Sequence, residues 1–162
     1  INEKNAYNII GERFSNVTNP MADGSVNERL SFYTTSARSI IDNPILGIGL
    51  GNWKIKSIDL SKDIIKSYRV PYFVHNDFLQ TAAEIGIIGG LCFVFYILYP
   101  FWISFKKTIK HFQFNLDFLI FLIFLVYIVD SMLNFPFDRP INFIYLFFTI
   151  ILFYKSEKNY LK

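Results

Sequence analysis

The chain has 162 residues, 52% of them hydrophobic and 19% aromatic, with 18% charged residues and a formal charge of +3. A mean hydropathy of +0.32, with long stretches free of charge, excludes a disordered chain and favours an integral membrane protein over a soluble domain. The basic residues are scattered among acidic ones, which excludes a nucleic-acid footprint, and the single cysteine, Cys92, excludes disulfides and cysteine-rich metal sites.

Composition divides the chain near Gly86. Residues 1–86 carry nine Lys or Arg and nine Asp or Glu, with turn clusters at Asn19-Pro20, Ala22-Asp23-Gly24-Ser25 and Asn43-Pro44, and read as a solvated segment. The chain begins at Ile1, and no basic start followed by an apolar run precedes Gly86, so it reads as the C-terminal part of a longer membrane protein. Within the polar segment, Arg29 to Asp42 is expected to be a helix, with Leu30, Tyr33, Ala37 and Ile40 on its apolar face and Asn27 as N-cap. It ends at Asn43-Pro44. Pro44 to Trp53 alternates glycine with apolar residues, the pattern of a tight loop or short extended piece whose backbone approaches something closely. Residues 1–26 and 54–72 give no firm element. A second helix is expected from Asn76 or Asp77 into the apolar half.

Residues 87–162 carry the hydrophobic mass. Ile87 to Phe105 is 19 residues without a charge, about 29 Å as a helix, which matches a hydrocarbon core of about 30 Å. Phe118 to Phe137 is a second expected crossing, interrupted only by Asp130, and Pro140 to Tyr154 a shorter third. Lys106, Lys107 and Lys110 after the first crossing, and Lys155, Lys158 and Lys162 after the third, predict cytoplasmic placement for both. Residues 1–86 and the turn Asn134 to Pro140 then share the outer side. The expected fold is therefore all-α: an extracytoplasmic, largely helical loop over 1–86, three transmembrane helices at about 87–105, 118–137 and 140–154, and a cytoplasmic tail.

Of the two histidines, His111 sits beside the cytoplasmic lysines and reads as a solvated residue. His75 opens the run His75-Asn76-Asp77-Phe78-Leu79-Gln80 at the mouth of a membrane-entering helix, where an imidazole is suited to general-base work. The plainer reading is a helix cap or loop filler. If the helix includes His75, Gly86 falls close to the same face and Glu84 on the opposite one. No H-x-x-H, H-E-x-x-H or carboxylate cluster has metal-ligand spacing, so neither a metal nor another cofactor is expected. Ser25, His75 and Asp77 have the residue types of a catalytic triad, but no spacing singles them out. Gly47, Gly49 and Gly51 lack the lysine of a phosphate loop and fit a close-packed turn better. Arg29 and Arg38 on the outer helix suit an anionic group. Asp130 and the Asp138-Arg139 pair are costly placements near a membrane. They fit a functional role and a salt bridge to Arg139 that fixes helix ends equally well.

Three elements fall in order: Asn27-Glu28-Arg29 in the outer helix, Asn43-Pro44-Ile45-Leu46-Gly47-Ile48-Gly49 after it, and His75-Asn76-Asp77-Phe78-Leu79-Gln80 leading through Glu84-Ile85-Gly86 to Gly89. Together they resemble the O-antigen ligase family, which includes related polymerases and protein O-oligosaccharyltransferases; His75 and Gly86 match its His-x10-Gly element. The resemblance covers about residues 27–105, and the last two crossings by topology only. Four residues after Arg29 stands Tyr33, where the family pattern favours leucine.

The resemblance implies a multi-pass glycosyltransferase of the bacterial cytoplasmic (inner) membrane, metal-independent and inverting, that moves a glycan from an undecaprenyl-pyrophosphate carrier to an acceptor hydroxyl on a glycan or lipid. It implies that His75 deprotonates the acceptor and Arg29 holds the pyrophosphate. Arg38, Arg69, Arg139 and Asn76 are further substrate-binding candidates, and Glu84, Gly86 and Asp130 supporting ones. Polymerase and protein-glycosylating chemistry differ from ligase chemistry only in the acceptor. The rival class is a non-catalytic transporter or assembly subunit, for which Asp130, and not His75, is the sensitive residue.

Overall fold

The computed structural model describes residues 24–61, 72–111 and 114–160, and among them every regular element is a helix. In chain order these are α1 (Gly24–Asp42), α2 (Trp53–Ser61), α3 (Asp77–His111), α4 (Leu116–Leu133), a 3-10 turn (Pro136–Asp138) and α5 (Pro140–Tyr160). Helix α3 begins where the sequence places it. Helix α1 starts five residues before Arg29, and α2 lies in a stretch for which the sequence gives no firm element.

The apolar half forms a three-helix bundle. Ile120, Phe124 and Tyr127 of α4 and Leu146, Ile150 and Phe153 of α5, each at steps of about one helical turn, bury a common core with Ile97 of α3. Two helices, α3 and α4, are long and apolar enough to cross a membrane. The third expected crossing is a helix, α5, which is not one of these two and runs on to Tyr160, past Lys155 and Lys158. At the far end of the bundle Lys107 lies 3.8 Å from Asp117 and also pairs with Glu157, while Ser156 Oγ donates to Asp117 Oδ1 at 2.6 Å. One of the lysines read as an orientation signal is thus also an internal tie.

Helix α3 is not one rod. Gly86 breaks it with φ 78° and ψ 175°, a conformation open to glycine and costly for other residues. Ala82 and Gly90 stand on either side of the break, about 12 Å apart along a continuous helix. Here a Cβ placed on Gly90 would come within 2.8 Å of the Ala82 Cβ. The rings of Phe78 and Phe93, fifteen residues apart, are 5.7 Å between centroids. The segment Asp77 to Ile85 therefore folds back beside the part of α3 that follows Gly86, with the small residues Ala82 and Gly90 at the crossing. The single-face argument linking His75 to Gly86 fails for the same reason: His75 precedes the helix, and the helix does not continue through Gly86.

The glycine loop fills the break. Ile48 N and Gly49 N donate to the carbonyls of Ala83 and Glu84 at 2.9 and 2.8 Å, and Ile87 N donates to the Pro44 carbonyl at 2.8 Å. Backbone meets backbone so closely that a Cβ on Gly86 would collide with the Ile45 carbonyl, and one on Gly47 with Glu84 and the Gly86 nitrogen. Ile48 then buries with Trp53, Val74 and Ala83 in a second, smaller core. Gly86→Ala should therefore destabilise the protein by about 1–3 kcal/mol, on the scale of an enforced left-handed residue plus a clash. Gly51→Ala, also at positive φ but with open space around its Cβ, should cost less; thermal unfolding of both variants in detergent tests the difference.

Candidate functional site

Helix α1 brings Arg29 to the site, and its most buried face is rotated from the expected one, of which Tyr33 and Ile40 pack partly buried against the second core. Phe32, Thr35, Ser36 and Ser39 are buried, whereas Leu30 is 44% exposed and Ala37 lies at the surface. Small hydroxyl residues let α1 approach α3 closely, and Ser36 Oγ donates to the Leu79 carbonyl at 3.2 Å. Arg29 and Tyr33, one turn apart on the helix, fall on one side of Phe32. Arg38, nine residues after Arg29, falls on the opposite side at about 100° per residue, so the structure does not bring it to His75. Arg69 lies outside the described residues, as does the side chain of Ser25, the third member of the triad considered above.

His75 is held just before α3, half-buried, with φ 61°. It is the one residue other than glycine at positive φ among those described, and such strain persists only where neighbours fix it. Those neighbours are aromatic and cationic. Phe32 stacks parallel to the imidazole at 6.2 Å and Phe135 meets it edge-on at 5.1 Å. The Tyr33 hydroxyl lies 3.2 Å from the His75 carbonyl and 3.4 Å from that of Met132, joining α1 to the C-terminal end of α4, which leucine at this position would not do. The Arg139 guanidinium sits over the Phe135 ring at 4.7 Å. Burial first, then the positive charges of Arg29 and Arg139, hold the His75 pKa below its ordinary value. Nδ1 is buried with no hydrogen-bond partner among the described residues. A neutral imidazole in the field of two arginines can accept a proton, and the arginines can attract an anion.

The remaining candidates are bound into the scaffold. Asn76 caps α3, accepting from Leu79 N at 3.0 Å, and its amide donates to the Met132 carbonyl at 3.4 Å. Glu84 is 5% exposed and receives the N–H groups of Gly51 at 2.9 Å and Trp53 at 3.3 Å, so it caps α2 from another helix. Asp130 accepts from the Asn134 amide at 2.7 Å, and Asp138 accepts from Gln80 Nε2 at 2.8 Å and lies 3.9 Å from Lys54. The salt bridge from Asp130 or Asp138 to Arg139 considered from the sequence is not formed, because Arg139 lies over Phe135 and each carboxylate has another partner. Phe135 and Phe32 escape sequence reasoning: each is one aromatic among 19 phenylalanines, and only the fold selects them.

Beside this site, on another face of Asp77–Ile85, opens a cleft of about 830 Å³ lined by Gln80, Thr81, Glu84, Gly89, Cys92 and Asp138, among others. Carboxylates at its polar end make it the wrong sign for a pyrophosphate.

Residues 4–94, more than half of the chain, match the family described as O-antigen ligase. The chain belongs to the O-antigen ligase family. No curated protein and no solved structure matches it. Family membership makes it a ligase- or polymerase-like enzyme of glycan transfer at a membrane, and its matched region holds the loop, the break at Gly86 and His75. Glu84→Ala in this scaffold removes the acceptor of the Gly51 and Trp53 N–H groups and should cost about 1–3 kcal/mol. Glu84→Gln, which keeps one acceptor oxygen, should fall between it and wild type; chemical or thermal unfolding of the three proteins measures the order.

Proposed function

We propose that the chain carries the acceptor-activating half of an inverting glycosyltransferase, in which a glycan passes from an undecaprenyl-pyrophosphate carrier to an acceptor hydroxyl. The convergence of His75 with Arg29 and Arg139 supports it most directly. His75 takes the proton of the acceptor hydroxyl, whose oxygen bonds to the anomeric carbon of the donor sugar. The bond from that carbon to the pyrophosphate oxygen breaks, and its electron pair leaves with the carrier. Arg29 and Arg139 meet the charge that grows on the departing pyrophosphate. In this reading α5 crosses the membrane beside α3 and α4, the lysines of the far end face the cytoplasm, and His75 faces outward. An aromatic wall around the imidazole suits a sugar ring.

Ligase chemistry is the first reading, with the polymerase and the protein-glycosylating enzyme separated from it by acceptor. In the full-length protein His75→Ala should lower transfer by about 10²–10⁴-fold, the usual worth of a general base, at unchanged membrane level. Complementation of a deletion strain tests this. Lipid-linked glycan of normal length that is not attached supports a ligase, glycan stalled at one repeat unit a polymerase, and normal transfer removes His75 as the base. Asp130→Asn should leave transfer near wild type, whereas a transporter would be sensitive there.

The pH dependence has a definite sign. His75 works in its neutral form, and its pKa is lowered, so transfer should persist below the ordinary histidine value of about 6.5 and fall only at more acidic pH. Arg29→Ala removes one of the positive charges, lets the pKa rise, and should move the acid limb of the rate profile to higher pH.

A further inference from the structure

An aspartate at the first position of a helix ordinarily serves that helix. Asp77 does not. Asn76 supplies the cap of α3, and the Asp77 carboxylate, 2% exposed, turns to the end of α4 and the segment after it, where Oδ2 accepts from Ser131 Oγ at 3.2 Å and from Phe137 N at 2.9 Å. A carboxylate buried so deeply is expensive to keep unless its bonds matter.

The turn it holds alternates its aromatic side chains between two surroundings. Phe137 packs against Phe93 at 5.1 Å and Phe143 at 5.6 Å, into the bundle. Phe135 goes the other way, edge-on to His75 at 5.1 Å and under the guanidinium of Arg139. Gln80 adds a second tie, accepting from Val74 N at 3.1 Å and donating to Asp138 at 2.8 Å, so one helical turn of α3 grips the segment before His75 and the outer turn together.

We propose that Asp77 is a positioning residue for glycan transfer: through Phe137 N and Ser131 it fixes the outer turn, and the turn sets Phe135 and Arg139 against His75. The inference rests on His75 being the base. Asp77 touches no reacting atom in it, and its bonds run to the turn, not to the imidazole.

The test uses the full-length protein in membranes. Asp77→Ala should lower transfer about 10²-fold, as for a small misplacement of catalytic groups, without loss of membrane level. It should also raise the rate at which diethyl pyrocarbonate modifies His75 severalfold relative to His111, since the Phe135 edge no longer shields the ring. Asp77→Asn, which keeps an oxygen for the Phe137 amide and the Ser131 hydroxyl, should recover most of both properties. In a Phe135→Ala, Arg139→Ala background Asp77→Ala should add little, because the three act as one unit. Wild-type transfer by Asp77→Ala, or lost transfer with His75 no more reactive than before, overturns the proposal. Normal transfer by His75→Ala would instead remove the base, while the reactivity of His75 in Asp77→Ala would still decide whether Asp77 holds the turn.

Discussion

A helix that breaks at the edge of a membrane bundle leaves N–H and C=O groups that lipid cannot satisfy, so such a break survives only where protein supplies the missing partners. At Gly86 the partners come from the loop Pro44–Gly49, through three backbone hydrogen bonds with Ala83, Glu84 and Ile87. Both sides of the contact need glycine, Gly86 for its conformation and Gly47 for the closeness of approach. Much else follows from that contact. It fixes the start of α2, because Glu84 on the broken helix accepts from Gly51 and Trp53, and it fixes the end of α1, which runs directly into the loop. The segment Asp77–Ile85 can then fold back beside the rest of α3.

Charge is sorted across that folded-back segment. One side of it presents His75, with Arg29 from α1 and Arg139 from the outer turn near enough to depress its pKa. Another side presents Glu84 and Asp138 to the cleft. Opposite signs therefore lie on two sides of one short helix, and an anionic group is drawn to the basic side. The aromatic residues sharpen the separation. Phe135, with Phe73 stacked on it at 4.1 Å, walls the basic side, while Phe137 and Phe93 line the bundle.

The parts of this arrangement that rest on local chemistry were legible in the sequence. Alternating glycines foretold a loop that approaches backbone, Asn43-Pro44 the end of α1, and Asn76-Asp77 the start of α3. What was hidden depends on long-range packing. The buried face of α1 is made of Phe32, Thr35, Ser36 and Ser39, with Tyr33 and Ile40 packed at its edge, so a periodicity count that also rewards Leu30 and Ala37 is rotated from the face that meets α3. Nine residues at Trp53–Ser61 form a helix because Glu84, thirty-one positions beyond Trp53, caps it. Phe32, Phe135 and Asp77 gain their places only when the outer turn, α1 and the broken helix meet.

On the proposed function, the break also explains how a residue so far ahead of a membrane span could meet a lipid-borne group. Along a continuous helix His75 would stand about 18 Å beyond Ile87, well past the headgroups that carry a pyrophosphate. Because the chain turns at Gly86, Asp77 instead reaches Ser131, and Asn76 and Tyr33 reach Met132, both in the last turn of α4. His75 is thus level with the C-terminal end of α4, a helix apolar enough to span the bilayer. On the proposed topology that is where a pyrophosphate rests, with its lipid chain still among the helices and its sugar in water. The ten residues between His75 and Gly86 are then what an outward helix and a return to the membrane mouth require, and the glycine at their end is the hinge that makes the return possible.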